Sequence, residues 1–205
     1  LANSGTLVFT GNSTANAATI NNNQTGMAAF LGASNAGIGS QLTNDGQLYF
    51  GENASAGQSI IRTQAGGQTI FYGSASGGTA ALRVANGGLL DISLLDTAGL
   101  SIGALTSDVG SVVALGSKTL TVGSTNQQPM VVSGLQDGGL GGGTGGSLTK
   151  VGTSELELTG TNSYAGLTRV ESGRLKAASA GAFAPLSGVV LAAGSELDIG
   201  AWDQT

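Results

Sequence analysis

Apolar and polar residues alternate along this chain in short runs. Leu7 and Phe9 fall on one side of a segment whose other side carries Thr6, Val8 and Thr10. Leu48 and Phe50 oppose Gln47 and Tyr49, and Leu90 and Ile92 oppose Leu89 and Asp91. Period-two alternation bounded by Gly, Asn and Ser predicts β-strands. Further strands are predicted ahead of the glycines, at Ile60–Ile61, Ala81–Val84 and Leu167–Val170. No stretch combines a 3.6-residue period with helix caps, so the pattern predicts almost no helix.

These segments recur. Phe9, Phe30, Phe50 and Phe71 are spaced by 21, 20 and 21 residues, and Ile92 follows 21 further on. Each lies four residues after a glycine (Gly5, Gly26, Gly46, Gly67, Gly88), and Gly110, Gly152, Gly173 and Gly194 extend the series. A chain that returns to the same place about every 21 residues stacks like residues on one another. The pattern therefore predicts an all-β, right-handed parallel β-helix of about ten rungs, its hand following the crossover rule. At about 4.8 Å per rung the rod is about 48 Å long. Phe9, Phe30, Phe50, Phe71 and Ile92 form its internal ladder, and the glycines read as corners with positive φ. Gly138–Gly146 holds seven glycines in nine residues and breaks the period. It reads as a loop or boundary between rungs 1–137 and rungs 147–205 of one elongated domain.

Composition narrows the chemistry. The 205 residues include 37 glycines, no cysteine and no histidine, with 9% charged residues and a net charge of −5. Seven scattered cations make no basic face, which argues against nucleic-acid binding. There is no apolar run of 18 residues to cross a membrane as a helix. Leu1 lies within a few residues of the first strand, with no basic start or apolar core of a signal peptide before it. This predicts a segment of a longer solenoid. Without histidine, Ser-His-Asp and Cys-His triads are impossible, and no Cys/His zinc cluster exists. The glycine-rich segment lacks a Gly-Lys-Ser/Thr ending, and Asp137 stands alone rather than in a calcium-binding nonapeptide series. No cofactor and no metal are expected.

Residues 146–177 carry a denser signal. Leu148, Thr149, Lys150, Gly152, Leu156, Leu158, Gly160, Asn162, Tyr164, Gly166, Thr168, Val170, Gly173 and Leu175 follow in fixed order. This segment closely resembles the passenger-associated β-strand repeat of bacterial autotransporters (type V secretion), with Ser154 and Leu167 standing where glycine is usual. The resemblance covers about a sixth of the chain. It implies an extracellular passenger, exported across the outer membrane by its own C-terminal β-barrel, which this sequence does not contain. Such passengers act as adhesins, self-association factors, toxins or proteases, and the repeat itself is associated with folding and export. The expected partner is a host-cell surface or matrix molecule, or another passenger copy. The alternatives are a toxin or protease whose active domain lies outside these residues, and a glycan-active β-helix enzyme.

Candidate site residues follow from the same pattern. Arg62 and Arg83 are 21 apart and should stack on adjacent rungs, either as an anionic-glycan site or as two solvated cations. Val8, Ala29, Tyr49 and Ile70 share the outward side of the Phe-bearing strands, as an apolar binding stripe or as a surface beneath a loop. Val8, Tyr49, Ile70, Arg62 and Arg83 are thus the candidate binding face. Polysaccharide cleavage would need paired carboxylates. Glu155 with Glu157, and Glu196 with Asp198, share strand faces, but alternate with Leu156, Leu158, Leu197 and Ile199 and read as solvated charges. Lys150, Arg169, Arg174 and Lys176, interspersed with Glu155, Glu157 and Glu171, read as a mixed-charge face. No catalytic residue is assigned.

Overall fold

The computed structural model describes residues 1–202; the last three residues of the 147–205 segment lie outside it. Among the described residues there is no helix, and all strand pairings are parallel. The chain winds through about nine three-sided turns, each advancing by one hydrogen-bonded strand.

The first side carries the strands Ala2–Asn3, Thr19–Asn22, Ile38–Asn44, Gln58–Thr63, Ala81–Val84 and Ala104–Ser107. A further sheet continues it through Val131–Val132, Glu155–Leu158, Arg174–Ala177 and Glu196–Asp198. Ser107 Oγ joins the two by donating to Ser133 O at 2.7 Å and accepting from Ser133 N at 2.8 Å. The second side runs from Thr6–Phe9 to Leu135–Gln136. The third begins as single bridges joining Thr14, Asn35, Ser55 and Ser76. It widens into true strands from Gly99–Ser101 onward.

The register follows the aromatic spacing. Phe9 pairs with Phe30, Phe30 with Phe50 and Phe50 with Phe71. Their rings stack at 4.5, 5.0 and 4.8 Å between centroids, within 12° of parallel. Phe30, Phe50, Phe71 and Ile92 are fully buried, and Phe9, at the first turn, is half-buried. Beside this stack runs a buried amide ladder. Asn3 Nδ2 donates to Asn22 Oδ1, and Asn22 Nδ2 to Asn44 Oδ1, both at 2.7 Å. Each amide also donates to a backbone carbonyl of the next turn, so the corner's polar groups are met without water.

The glycine series differs from expectation in two ways. Gly26, Gly46, Gly67 and Gly88 do not have positive φ. Glycine is needed there because the turns pack closely: a Cβ on Gly46 would lie 2.3 Å from Gly26 O, and one on Gly67 2.2 Å from Asn44 O. Gly152, Gly173 and Gly194 do have positive φ, but they occupy a different corner, between the third and first sides. The 42 residues from Gly110 to Gly152 are therefore not two regular turns. Extra residues near 124–129 and 138–146 lengthen that turn: Val122 pairs with Lys150, 28 positions on.

Candidate binding surface

The five candidate face residues fall on two different sides of the rod. Val8, Tyr49 and Ile70 belong to the second side, Arg62 and Arg83 to the first. They do not form one face, because the corner at 64–67 turns the chain between them.

On the second side the outward stripe is interrupted. Val8 is exposed at 44% and Tyr49 is half-buried, but Ala29 is buried and Ile70 is only 2% exposed. Ile70 pairs with Tyr49 on one flank and Asp91 on the other. Asp91 lies under the glycine-rich loop and is itself fully buried. Its carboxylate accepts from Ser93 N at 2.8 Å, Ser93 Oγ at 2.6 Å and Leu140 N at 2.7 Å. Ser93 Oγ in turn accepts from Gly141 N. Asp137 fastens the other end of the loop by accepting from Gly145 N and Gly146 N. Only residues without a Cβ come so close: a Cβ on Gly141 would sit 2.7 Å from Ser93 O. The loop is thus latched to the outer face, and Ile70 drops out of any exposed stripe. Asp91→Ala is expected to release it, raising backbone amide exchange over 138–143 at least tenfold while the strands stay protected. Unchanged exchange would contradict the latch.

On the first side, Arg62 pairs with Arg83, and Arg83 with Thr106. A parallel row holds Ile60, Ala81 and Ala104. The segment Gln127–Pro129, with a cis bond before Pro129, stands over these two rows. Thr106 Oγ1 holds it by donating to Pro129 O at 3.0 Å. The result is an open groove of about 330 Å³ with both arginines in its lining. Arg83 makes a 3.3 Å ion pair with Asp108, in which both side chains remain well exposed. Such a pair is weak.

The acidic pairs are not free. Arg174 stands between Glu155 and Glu196 in register, and Lys176 between Glu157 and Asp198. Lys176 Nζ bonds Glu157 Oε2 at 2.8 Å, Arg174 lies 3.5 Å from Glu155, and Arg174 also pairs closely with Asp198. The Glu157 bond raises the Lys176 pKa, and the Gly200 N–H, then Arg174, hold Asp198 below the usual carboxylate value. A cation separates the two carboxylate pairs, unlike a paired acid and base.

Lys150 departs from the mixed-charge reading. It is fully buried, and its ammonium donates to Val151 O, Gly152 O and Ser172 O at 3.1, 2.8 and 3.0 Å. Burial lowers its pKa. The sequence signal was present: Lys150 has the same parity as inward-facing Leu148. Gly173, with φ +71°, leaves room for it, since a Cβ there would lie 2.9 Å from Nζ.

The other residues of this segment build parts of two adjacent turns of the rod, with Leu148 paired to Thr168 and Leu156 to Leu175. Leu148, Leu156, Leu158, Tyr164, Val170 and Leu175 are buried. Asn162 accepts from Leu135 N at 3.0 Å and donates to Ala182 O at 2.7 Å, linking three turns. Tyr164 OH shares a hydrogen bond with Thr168 Oγ1, and burial raises its pKa. Residues 148–177 match the family model of the passenger-associated-transport-repeat. No curated protein and no solved structure matches the chain. A passenger-associated repeat built in register into a parallel β-solenoid fits an autotransporter passenger, and it implies export to the cell surface or extracellular space.

Proposed function

We infer that this rod is a non-enzymatic stalk and display surface of an autotransporter passenger, held at the outside of a bacterial cell and acting in adhesion or self-association. The observation that carries the reading is the passenger-associated repeat at 148–177, whose large apolar residues are spent on the solenoid itself. Lys150, Asn162 and Tyr164 all face inward and satisfy one another's turns, so this segment supplies structure rather than a site. The ion pairing of Glu155, Glu157 and Asp198 supports a non-catalytic role. A parallel β-solenoid offers long lateral sides and no lateral strand edges, which suits a rod that presents loops and grooves away from the envelope.

The test is a bacterium expressing the parent protein with residues 1–205 deleted in frame, its export checked by surface labelling. Loss of attachment to host cells and matrix, or of cell–cell aggregation, is expected. An exported deletion that attaches and aggregates like the intact protein would overturn the reading.

A further inference from the structure

The groove on the first side has a chemistry that its neighbours lack. In a chain of net charge −5, two arginines stand one rung apart, aligned in register on adjacent strands. Among the described residues, Arg62 is engaged only by a 3.5 Å contact to Gln41 Oε1, at the limit of a hydrogen bond. Arg83 has its exposed Asp108 pair and keeps donors to spare. The adjoining row of Ile60, Ala81 and Ala104 gives a flat apolar floor beside the charged row. Gln127 and Gln128 line the opposite wall. That wall exists because this turn is lengthened and Thr106 pins it down.

We propose that this groove binds an extended polyuronate, a polysaccharide carrying one carboxylate per sugar. Neighbouring rungs lie about 4.8 Å apart, close to the advance of one pyranose residue along an extended chain. Arg62 leans toward Gln41 on the preceding turn and Arg83 toward Asp108 on the next, so the two guanidiniums are spread along the rod and each offers a planar fork to a carboxylate of the same glycan chain. The apolar row takes the C–H face of the sugar rings, and the wall of Gln127 and Gln128 meets hydroxyls. A neutral glycan leaves both arginines without new partners. An acidic peptide is less well matched: the groove floor is a fully paired sheet, with no free edge for a peptide backbone. This proposal names a ligand class for the display reading and rests on it for its biological setting. The binding itself is a property of the purified chain.

The test is titration calorimetry of the purified 205-residue chain with oligogalacturonate, its methyl-esterified form and poly-glutamate, at low and physiological salt. Saturable binding of oligogalacturonate, weakened by salt, is expected, with little binding of the ester. Arg62→Gln and Arg83→Gln should each weaken it about tenfold, the worth of one charge-assisted contact. Both side chains are on the outside, so thermal melts should be unchanged. Asp108→Asn removes the competing acid and should strengthen binding several-fold. Absence of oligogalacturonate binding, equal binding by Arg62→Gln/Arg83→Gln, or tighter arginine-dependent binding of poly-glutamate would each overturn the proposal. None of these outcomes bears on whether deletion of the rod abolishes cell attachment, so the two readings fail separately.

Discussion

Phe50→Ala is expected to lower the unfolding free energy by about 3–5 kcal/mol, the usual cost of emptying a buried aromatic site. Phe50 is fully buried, and its ring lies between those of Phe30 and Phe71, 5.0 and 4.8 Å away. Its loss leaves a gap with a ring on each side, and neither ring can move in to fill it, because each is fixed by its own strand pairing. In a solenoid each turn is stabilised mainly by its two neighbours, so the damage spreads to both. Phe9→Ala is the control: Phe9 is half-buried with a single stacked partner at the first turn and should cost clearly less. Urea melts measure both. A loss below about 1 kcal/mol for Phe50→Ala would mean that the ring is not a core element.

Lys150→Met is expected to cost about 2–4 kcal/mol, although it removes a buried charge. Gly152 O keeps a donor in Ser172 Oγ, but Val151 O and Ser172 O lose the ammonium that met them. Two half-buried carbonyls left without that partner outweigh the desolvation relieved by methionine. The same residue sets a pH dependence. Its folded pKa lies below the ordinary 10.5, because burial disfavours the ammonium. Between that lowered value and 10.5 the unfolded chain holds more protons than the folded one, so stability rises with pH across this window. Below the window the full penalty of the buried ammonium is present. Urea midpoints of the wild type and Lys150→Met, compared at pH values up to 10.5, should diverge: the wild type, already the more stable, gains on alkalinisation a term that the variant lacks. A pH-independent difference between the two would remove Lys150 as its source.

The legibility of this fold rests on its repetition. Phe9, Phe30, Phe50 and Phe71 could be aligned from spacing alone because a residue's neighbour on the next turn is one period away. The pairing of Arg62 with Arg83 was legible for the same reason. For Ile70, alternation left open an exposed stripe or a surface beneath a loop, because it gives the side of a strand a residue faces and not what lies over that side; Ile70 is buried. Its neighbour Asp91 is bonded to Leu140, 49 positions on, and no periodic reading connects the two. Lys150 was assigned to the surface on its charge, although its parity with Leu148 pointed inward; three backbone carbonyls outweighed the general preference of lysine for water.

The sequence by itself determined what depends on local pattern and period: β-strands without helix, parallel stacking at about 21 residues per turn, and the identity of the aromatic ladder. Only the tertiary structure decided which corner each glycine serves, that the glycine-rich loop is latched over Asp91, that Lys150 is ligated inside the wall, and that Gln127–Pro129 overhangs the arginine row. Each of these depends on the one lengthened turn, or on backbone groups meeting side chains across turns. Added residues shift the spacing between partners without leaving a period to read. Backbone carbonyls and amides are present at every position, so the chain's letters do not mark which of them a buried charge will meet.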